Sequence, residues 1–152
     1  MPCHAAISKK YLTLSHDTSV EKALELLAKS KVGAVPVTEK GGVFIGIFSI
    51  ENLLKNLLPV SVAMADGIQL DVNVAAAPGV AKRLRKVKPL AVSGFLMHKI
   101  TTVAPGTPLW EGVQVMVRQN GILPVVDAES GKLMGVINEL SMMAELERLG
   151  NE

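Results

Sequence analysis

Aromatic residues are scarce: the 152-residue sequence holds one Trp, one Tyr and three Phe. Surfaces that work by stacking bases or sugars are therefore not expected. There is a single cysteine, Cys3, so no internal disulfide can form, and Met1 to Lys10 lacks the apolar stretch of a secretory signal. A reducing cytoplasm is the expected setting. The longest mainly apolar run, Leu57 to Ala65, is broken by Pro59 and Ser61. It falls far short of the roughly 20 residues that cross a bilayer, so no membrane partner is expected. A net charge of +2 is too small to imply nucleic acid.

Catalytic patterns are missing as well. His4, His16 and His98 have no metal-ligand spacing, and Cys3 has no neighbour that would activate its thiol. Asp17, Asp66, Asp71 and Asp127 fall mostly in turn-like sequence rather than in a paired acid/base arrangement. No phosphate-cradling glycine loop of the P-loop or dinucleotide type occurs. The sequence supports neither an enzyme, nor a metal site, nor a required cofactor.

What is present is aliphatic. Nearly half the residues (49%) are apolar, chiefly Ala, Val, Leu, Ile and Met, which suits one core or two small halves. The chain also repeats itself. A segment from about Ser8 to Leu58 matches another from about Met97 to Gly150. Thr13-Leu14 aligns with Thr102-Val103, Thr18 with Thr107, Pro36-Val37 with Pro124-Val125, and Gly46 with Gly135.

Each copy reads β-α-β-β-α. Tyr11 to Leu14 is β-prone, and Thr18 with Glu21 has capping-box spacing for a helix start. In the second copy, Thr107 precedes Pro108, a residue suited to the first helical position. Val20, Ala23, Leu24 and Leu27 recur at helical spacing, as do Leu109, Val113 and Met116. Two hairpins follow, Ala34–Val37 with Val43–Phe48 and Ile122–Val126 with Leu133–Ile137, each around a polar turn. Ser49 and Asn138 are the expected N-caps of closing helices over 50–58 and 139–149, with Gly150 at the stop. A unit of about fifty residues rarely folds alone, so the halves should pack face to face as one body with function at their junction.

This tandem pattern, with Gly33-Ala34-Val35-Pro36-Val37 and Gly46-Ile47-Phe48-Ser49 in one copy and Gly121-Ile122-Leu123-Pro124-Val125 and Gly135-Val136-Ile137 in the other, resembles the cystathionine-β-synthase (CBS) domain family. The resemblance covers roughly two thirds of the chain. It implies an α/β (α+β) fold of two pseudo-symmetric motifs packed as one CBS pair, over residues 8–58 and 97–150, joined by a linker at 59–96. It also implies a homodimer and clefts that bind AMP, ADP, ATP or S-adenosylmethionine. Many members regulate an attached enzyme or channel; a stand-alone copy would act through a separate, unidentified protein partner or its own oligomer.

By family analogy the backbone at Ala34, Val35, Pro36 and Val37, or at Ile122, Leu123 and Pro124, would read the adenine edge. The family's ribose signal is Ser or Thr followed three residues later by Asp. Ser49 with Asn52 keeps the hydroxyl and replaces the carboxylate, whereas Asn138 with Ser141 departs at both places. Loss of charge assistance costs on the order of 1 kcal/mol, so the Ser49/Asn52 cleft is favoured over the Asn138 cleft. Thr13 and Thr102 would present hydroxyls, and Lys9, Lys10, His98 and Lys99 could reach phosphates. Each of these also has a plain reading, as a strand threonine or a solvated charge.

Between the copies, Asp66 to Ala77 reads as a loop with a short strand, and Pro78-Gly79 introduces a helix over 80–87 carrying Lys82, Arg83, Arg85 and Lys86, with Lys88 just beyond. The default for this cluster is a solvated face, the alternatives a phosphate clamp or an acidic partner surface. One basic turn without aromatics makes nucleic acid the weakest reading. The rival to a nucleotide sensor is a structural CBS module that only dimerises or docks.

Overall fold

The computed structural model describes residues 2–8, 11–58, 79–97, 99–119 and 122–150. Lys9, Lys10, His98, Gly121 and the expected loop and strand over 66–77 lie outside the described residues.

The first copy comprises β1 (Leu14–Ser15), α1 (Val20–Ser30), β2 (Ala34–Glu39), β3 (Val43–Ser49) and α2 (Ile50–Leu57). α3 (Val80–Val87) follows, as the basic segment predicted. The second copy comprises α4 (Leu109–Arg118), β4 (Ile122–Val126), β5 (Leu133–Asn138) and α5 (Glu139–Gly150). β1 runs parallel to β2 through Leu14↔Val37, and β2 and β3 form the expected antiparallel hairpin. In the second copy the equivalent of β1 shrinks to one parallel bridge, Val103↔Val125, beside the β4–β5 hairpin. The mixed α/β architecture and internal symmetry therefore agree with the sequence pattern.

Several element boundaries are corrected, among them the strand expected over Tyr11 to Leu14, which is Leu14–Ser15. Ser19, not Thr18, caps α1, its hydroxyl accepting the Lys22 N–H at 3.2 Å. Thr18 is engaged elsewhere: its N–H reaches Ser15 and its carbonyl accepts the Val92 N–H. Pro108 stands at the N-cap rather than the first helical position, with extended backbone, because the turn closed by Thr107 and Ala104 delays the helix by one residue. Gly150 is the last residue of α5 rather than a stop beyond it.

The interior consists of two aliphatic clusters, one per copy, and each is completed by chain from outside its own copy. Around Leu27, Val35, Val37 and Phe48 pack Val92 and Leu96, with Leu84 and Val87 of α3 beside them. Around Leu123, Val125 and Ile137 pack Cys3 and Ala6 of the N-terminal segment. The two leading segments correspond to each other. Pro2 bridges Pro108 as Ala91 bridges Ser19, and the 3-10 turn Cys3–Ala6 matches Val92–Phe95. The Ser8 N–H then donates to the Val136 carbonyl, as the Met97 N–H donates to that of Ile47. The halves are thus joined by a reciprocal exchange of leading segments rather than by one merged interior.

Gly46 and Gly135 make the exchange sterically feasible. A Cβ on Gly46 would lie 3.0 Å from the Met97 carbonyl oxygen and 3.2 Å from the Leu96 Cβ. On Gly135 it would lie 2.5 Å from the Ile7 Cγ2. These are the glycines of the repeated Gly-hydrophobic run, and each is where the foreign segment crosses the hairpin.

Candidate functional site: a cavity between the copies

Exchange of the segments leaves a cavity of about 830 Å³ between the two hairpins. Its walls use equivalent positions of the two copies: Ala34 and Ile122, Ile47 and Val136, Ser49 and Asn138. These are neighbours in the sheets, since Ala34 pairs with Ser49 and Ile122 with Asn138 at corresponding ends of the hairpins. The remainder of the wall is largely apolar, with Tyr11, Leu12, Val32, Ile50, Met97 and Ile100.

Among the residues singled out by sequence, Ala34, Val35, Pro36, Ser49, Ile122 and Asn138 line this cavity. Val37, Leu123 and Pro124 lie inside their sheets, fully buried, and do not line it. Pro36 and Pro124, pairing with Ile47 and Val136, place residues without an N–H in each hairpin. Thr13 and Lys99 are exposed, Thr102 is half-buried, and all three lie away from the cavity wall.

Ser49 is buried, and its hydroxyl accepts the Asn52 N–H at 3.0 Å, capping α2. The same hydroxyl donates to the Met97 Sδ at 3.3 Å. Asn52 faces the leading segment instead of the cavity: its amide Nδ2 donates to the Phe95 carbonyl at 3.0 Å. At the other end Asn138 caps α5 reciprocally, its Oδ1 accepting the Ser141 N–H at 2.8 Å while the Ser141 Oγ accepts the Asn138 N–H at 3.0 Å. Asn138 is exposed, so this end is the more open and polar of the two.

Several lining residues carried no sequence signal. Gln119 follows α4, and its side-chain amide donates to the carbonyls of Thr101 and Ile122 while accepting the Thr101 N–H. It thereby fixes the wall of the second copy. Glu51 and Glu139, in the first turns of α2 and α5, are the charged residues on the wall among the described residues.

Groups with perturbed acidity lie elsewhere. The hydroxyl of Ser15 holds the Asp17 carboxyl below its ordinary range, and that of Ser130 does the same for Asp127; both are in turns. Among the described residues no group of three or more His, Cys, Asp or Glu could hold a metal ion, and no helix is long and apolar enough to cross a membrane.

The model of one protein family matches the chain twice, as a CBS domain over residues 5–59 and again over 92–148. The chain belongs to the CBS domain family. As a CBS pair it is 24% identical to an uncharacterized protein of Methanocaldococcus jannaschii, over 92% of this chain and 88% of that one. Among solved structures it is similar to the CBS-pair protein CBSX2 of Arabidopsis thaliana, with TM-score 0.75 and 21% identity over 99% of this chain and 97% of that one. A structure of CBSX2 in complex with AMP gives TM-score 0.71 and 23% identity over 98% of each chain. At these identities the likeness carries the fold.

Proposed function

We propose that this CBS pair is a non-catalytic regulatory module that binds an adenine nucleotide or S-adenosylmethionine in the cavity between its motifs and signals through the shape of a dimer. The observation that carries this reading is that equivalent positions of both copies wall one cavity. A ligand there touches both halves at once, so binding energy couples to their relative placement. The volume of about 830 Å³ falls within the range of small-molecule sites, and the walls have their apolar character with a few polar groups. A protein of the same fold, CBSX2, has been crystallised with AMP.

In this reading the base lies in the apolar slot and meets the backbone of Ala34, Val35 and Pro36 or of Ile122. Val37, Leu123 and Pro124 contribute as the rigid sheet behind it. Ser49 and Asn138 supply the polar contacts, and Asn52 holds the start of α2 in place through the Phe95 carbonyl. Thr13 and Thr102 are left for contacts with a ligand's outer portion, and Lys99, exposed and off the wall, has no part in this reading.

The dimer part of this reading is supported by a comparison of the copies. On α4 and α5, Trp110, Val117, Leu140 and Met143 are exposed, Leu140 to 83% and Trp110 to 63%. Their equivalents on α1 and α2 are Glu21, Ala28, Glu51 and Leu54, on a face that carries the exposed pairs Lys22–Glu25 and Lys55–Glu51. Where the second copy has Trp110 and Leu140 the first has Glu21 and Glu51, while Ala28 and Leu54 stay apolar, so the second copy's face is the more continuously apolar, and such a patch suits contact with the same patch of a second chain.

Thermal unfolding with AMP, ADP, ATP and S-adenosylmethionine tests the ligand. A ligand at 100 times its Kd adds about 2.7 kcal/mol to stability. No shift with any of them at millimolar concentration would leave the structural reading, a module that only dimerises or docks onto a partner protein.

A further inference from the structure

Charge on the cavity wall bears on which adenosyl compound it accepts. Glu51 and Glu139 stand in the first turns of α2 and α5, the places where free backbone N–H groups would otherwise attract a phosphate. No Lys, Arg or His lines the cavity among the described residues. Lys99, the described cation expected to reach a phosphate, is exposed and off the wall. Lys55 approaches Glu51 to 3.8 Å and offsets part of that carboxylate's charge, so Glu139 makes the larger negative contribution. A ligand in the cavity therefore meets negative charge from both copies.

Resting on the nucleotide reading above, we propose that the cavity selects adenosyl ligands whose tail is cationic or uncharged over those that carry a polyphosphate, with Glu51 and Glu139 as the specificity-determining residues. The adenosine part uses the apolar slot in every case. The tail decides. A sulfonium or ammonium group gains from the two carboxylates, and each added phosphate charge at a separation of about 6–8 Å loses roughly threefold to tenfold in affinity in a partly hydrated mouth.

The test is calorimetric titration of the full chain with adenosine, AMP, ADP, ATP and S-adenosylmethionine at low and moderate salt. S-adenosylmethionine should bind more tightly than AMP, and ATP at least tenfold more weakly than AMP. Salt should narrow both gaps. The variant E51Q/E139Q should bring ATP and AMP within about threefold of each other and weaken S-adenosylmethionine, because the fixed charge is gone and the shape is kept. Each single variant should move the ratio part of the way, which keeps the test usable should the double variant unfold. ATP binding as tightly as AMP would overturn the proposal and leave the nucleotide reading standing. A ratio unmoved by the variants would overturn it too. Failure of all five ligands to bind would remove the nucleotide reading itself, and the selectivity with it.

Discussion

Replacement of Gly46 by alanine tests the exchange of leading segments directly. The new Cβ would sit 3.0 Å from the Met97 carbonyl oxygen and 3.2 Å from the Leu96 Cβ, so the obstruction is backbone and a buried side chain rather than a mobile tip. The chain has two responses. It can keep the segment in place and accept overpacking, at about 1–3 kcal/mol. Or it can lift the segment, losing the reciprocal hydrogen bonds between Ile47 and Met97, of 2.8 and 3.2 Å, together with part of the burial of Leu96. Two such bonds contribute about 1–3 kcal/mol net, and exposing a leucine costs a further 1.5–3 kcal/mol. The first response costs less, so Gly46→Ala should destabilise by about 1–3 kcal/mol, a fall in Tm of about 3–10 °C for a chain of this size. Gly94→Ala is the control: a Cβ there meets nothing within 4 Å, and the change should stay within about 0.5 kcal/mol. Urea unfolding gives the free energies. Hydrogen exchange at the Met97 amide reports whether the segment lifts. Equal stability of the Gly46→Ala and Gly94→Ala variants would refute the claim that the crossing is close-packed.

Three further outcomes are expected. Burial pushes the Cys3 thiol up from its ordinary range, so the folded chain holds that proton longer than the unfolded one. The thiol's contribution is complete below about pH 8.5, where an exposed thiol ionises, and is lost as pH rises from there through the folded-state value; Cys3→Ala should flatten this alkaline limb in unfolding measured against pH. Leu140→Glu should shift sedimentation toward monomer, whereas Leu54→Glu on the equivalent face of the first copy should not; equal effects would show that the dimer does not favour the second copy's helices. Ser49→Ala should cost about 1 kcal/mol from loss of the α2 cap, seen by urea unfolding, and should also weaken any bound nucleotide, whereas Ser19→Ala should show the cap loss alone.

The parts of the fold legible in the sequence are those set by local pattern. Hairpins bounded by polar glycine turns and helices with apolar recurrence stand where the periodicity places them, and Ser49 and Asn138 cap the helices that follow. What local pattern could not supply is competition from distant chain. Thr18 has capping-box spacing, yet its carbonyl is taken by Val92 and the cap passes to Ser19. The strand expected over Tyr11 to Leu14 shortens to Leu14–Ser15 because only those residues find a partner, in Val37 and Thr38. The site divides in the same way. Ala34, Pro36, Ser49 and Ile122 follow from the repeated motif and reach the cavity. Asn52 has the right spacing from Ser49, but the Phe95 carbonyl lies 43 positions downstream and claims its amide. Gln119, Glu51 and Glu139 reach the wall through helix termini whose facing could be known only once the halves were docked.

The exchanged segments also bear on how the polypeptide matures during synthesis. When the first hairpin has left the ribosome, Val92 and Leu96, which close its interior, have not yet been made; Cys3 and Ala6, made earlier, must wait for a partner around Leu123. Pairings as remote as Pro2 with Pro108 are slow to find in a free chain. The nascent first half should therefore linger as an unsealed intermediate, exposed to chaperones and proteases, until the segment from Val92 to Leu96 has emerged, and the N-terminal segment until the second hairpin has.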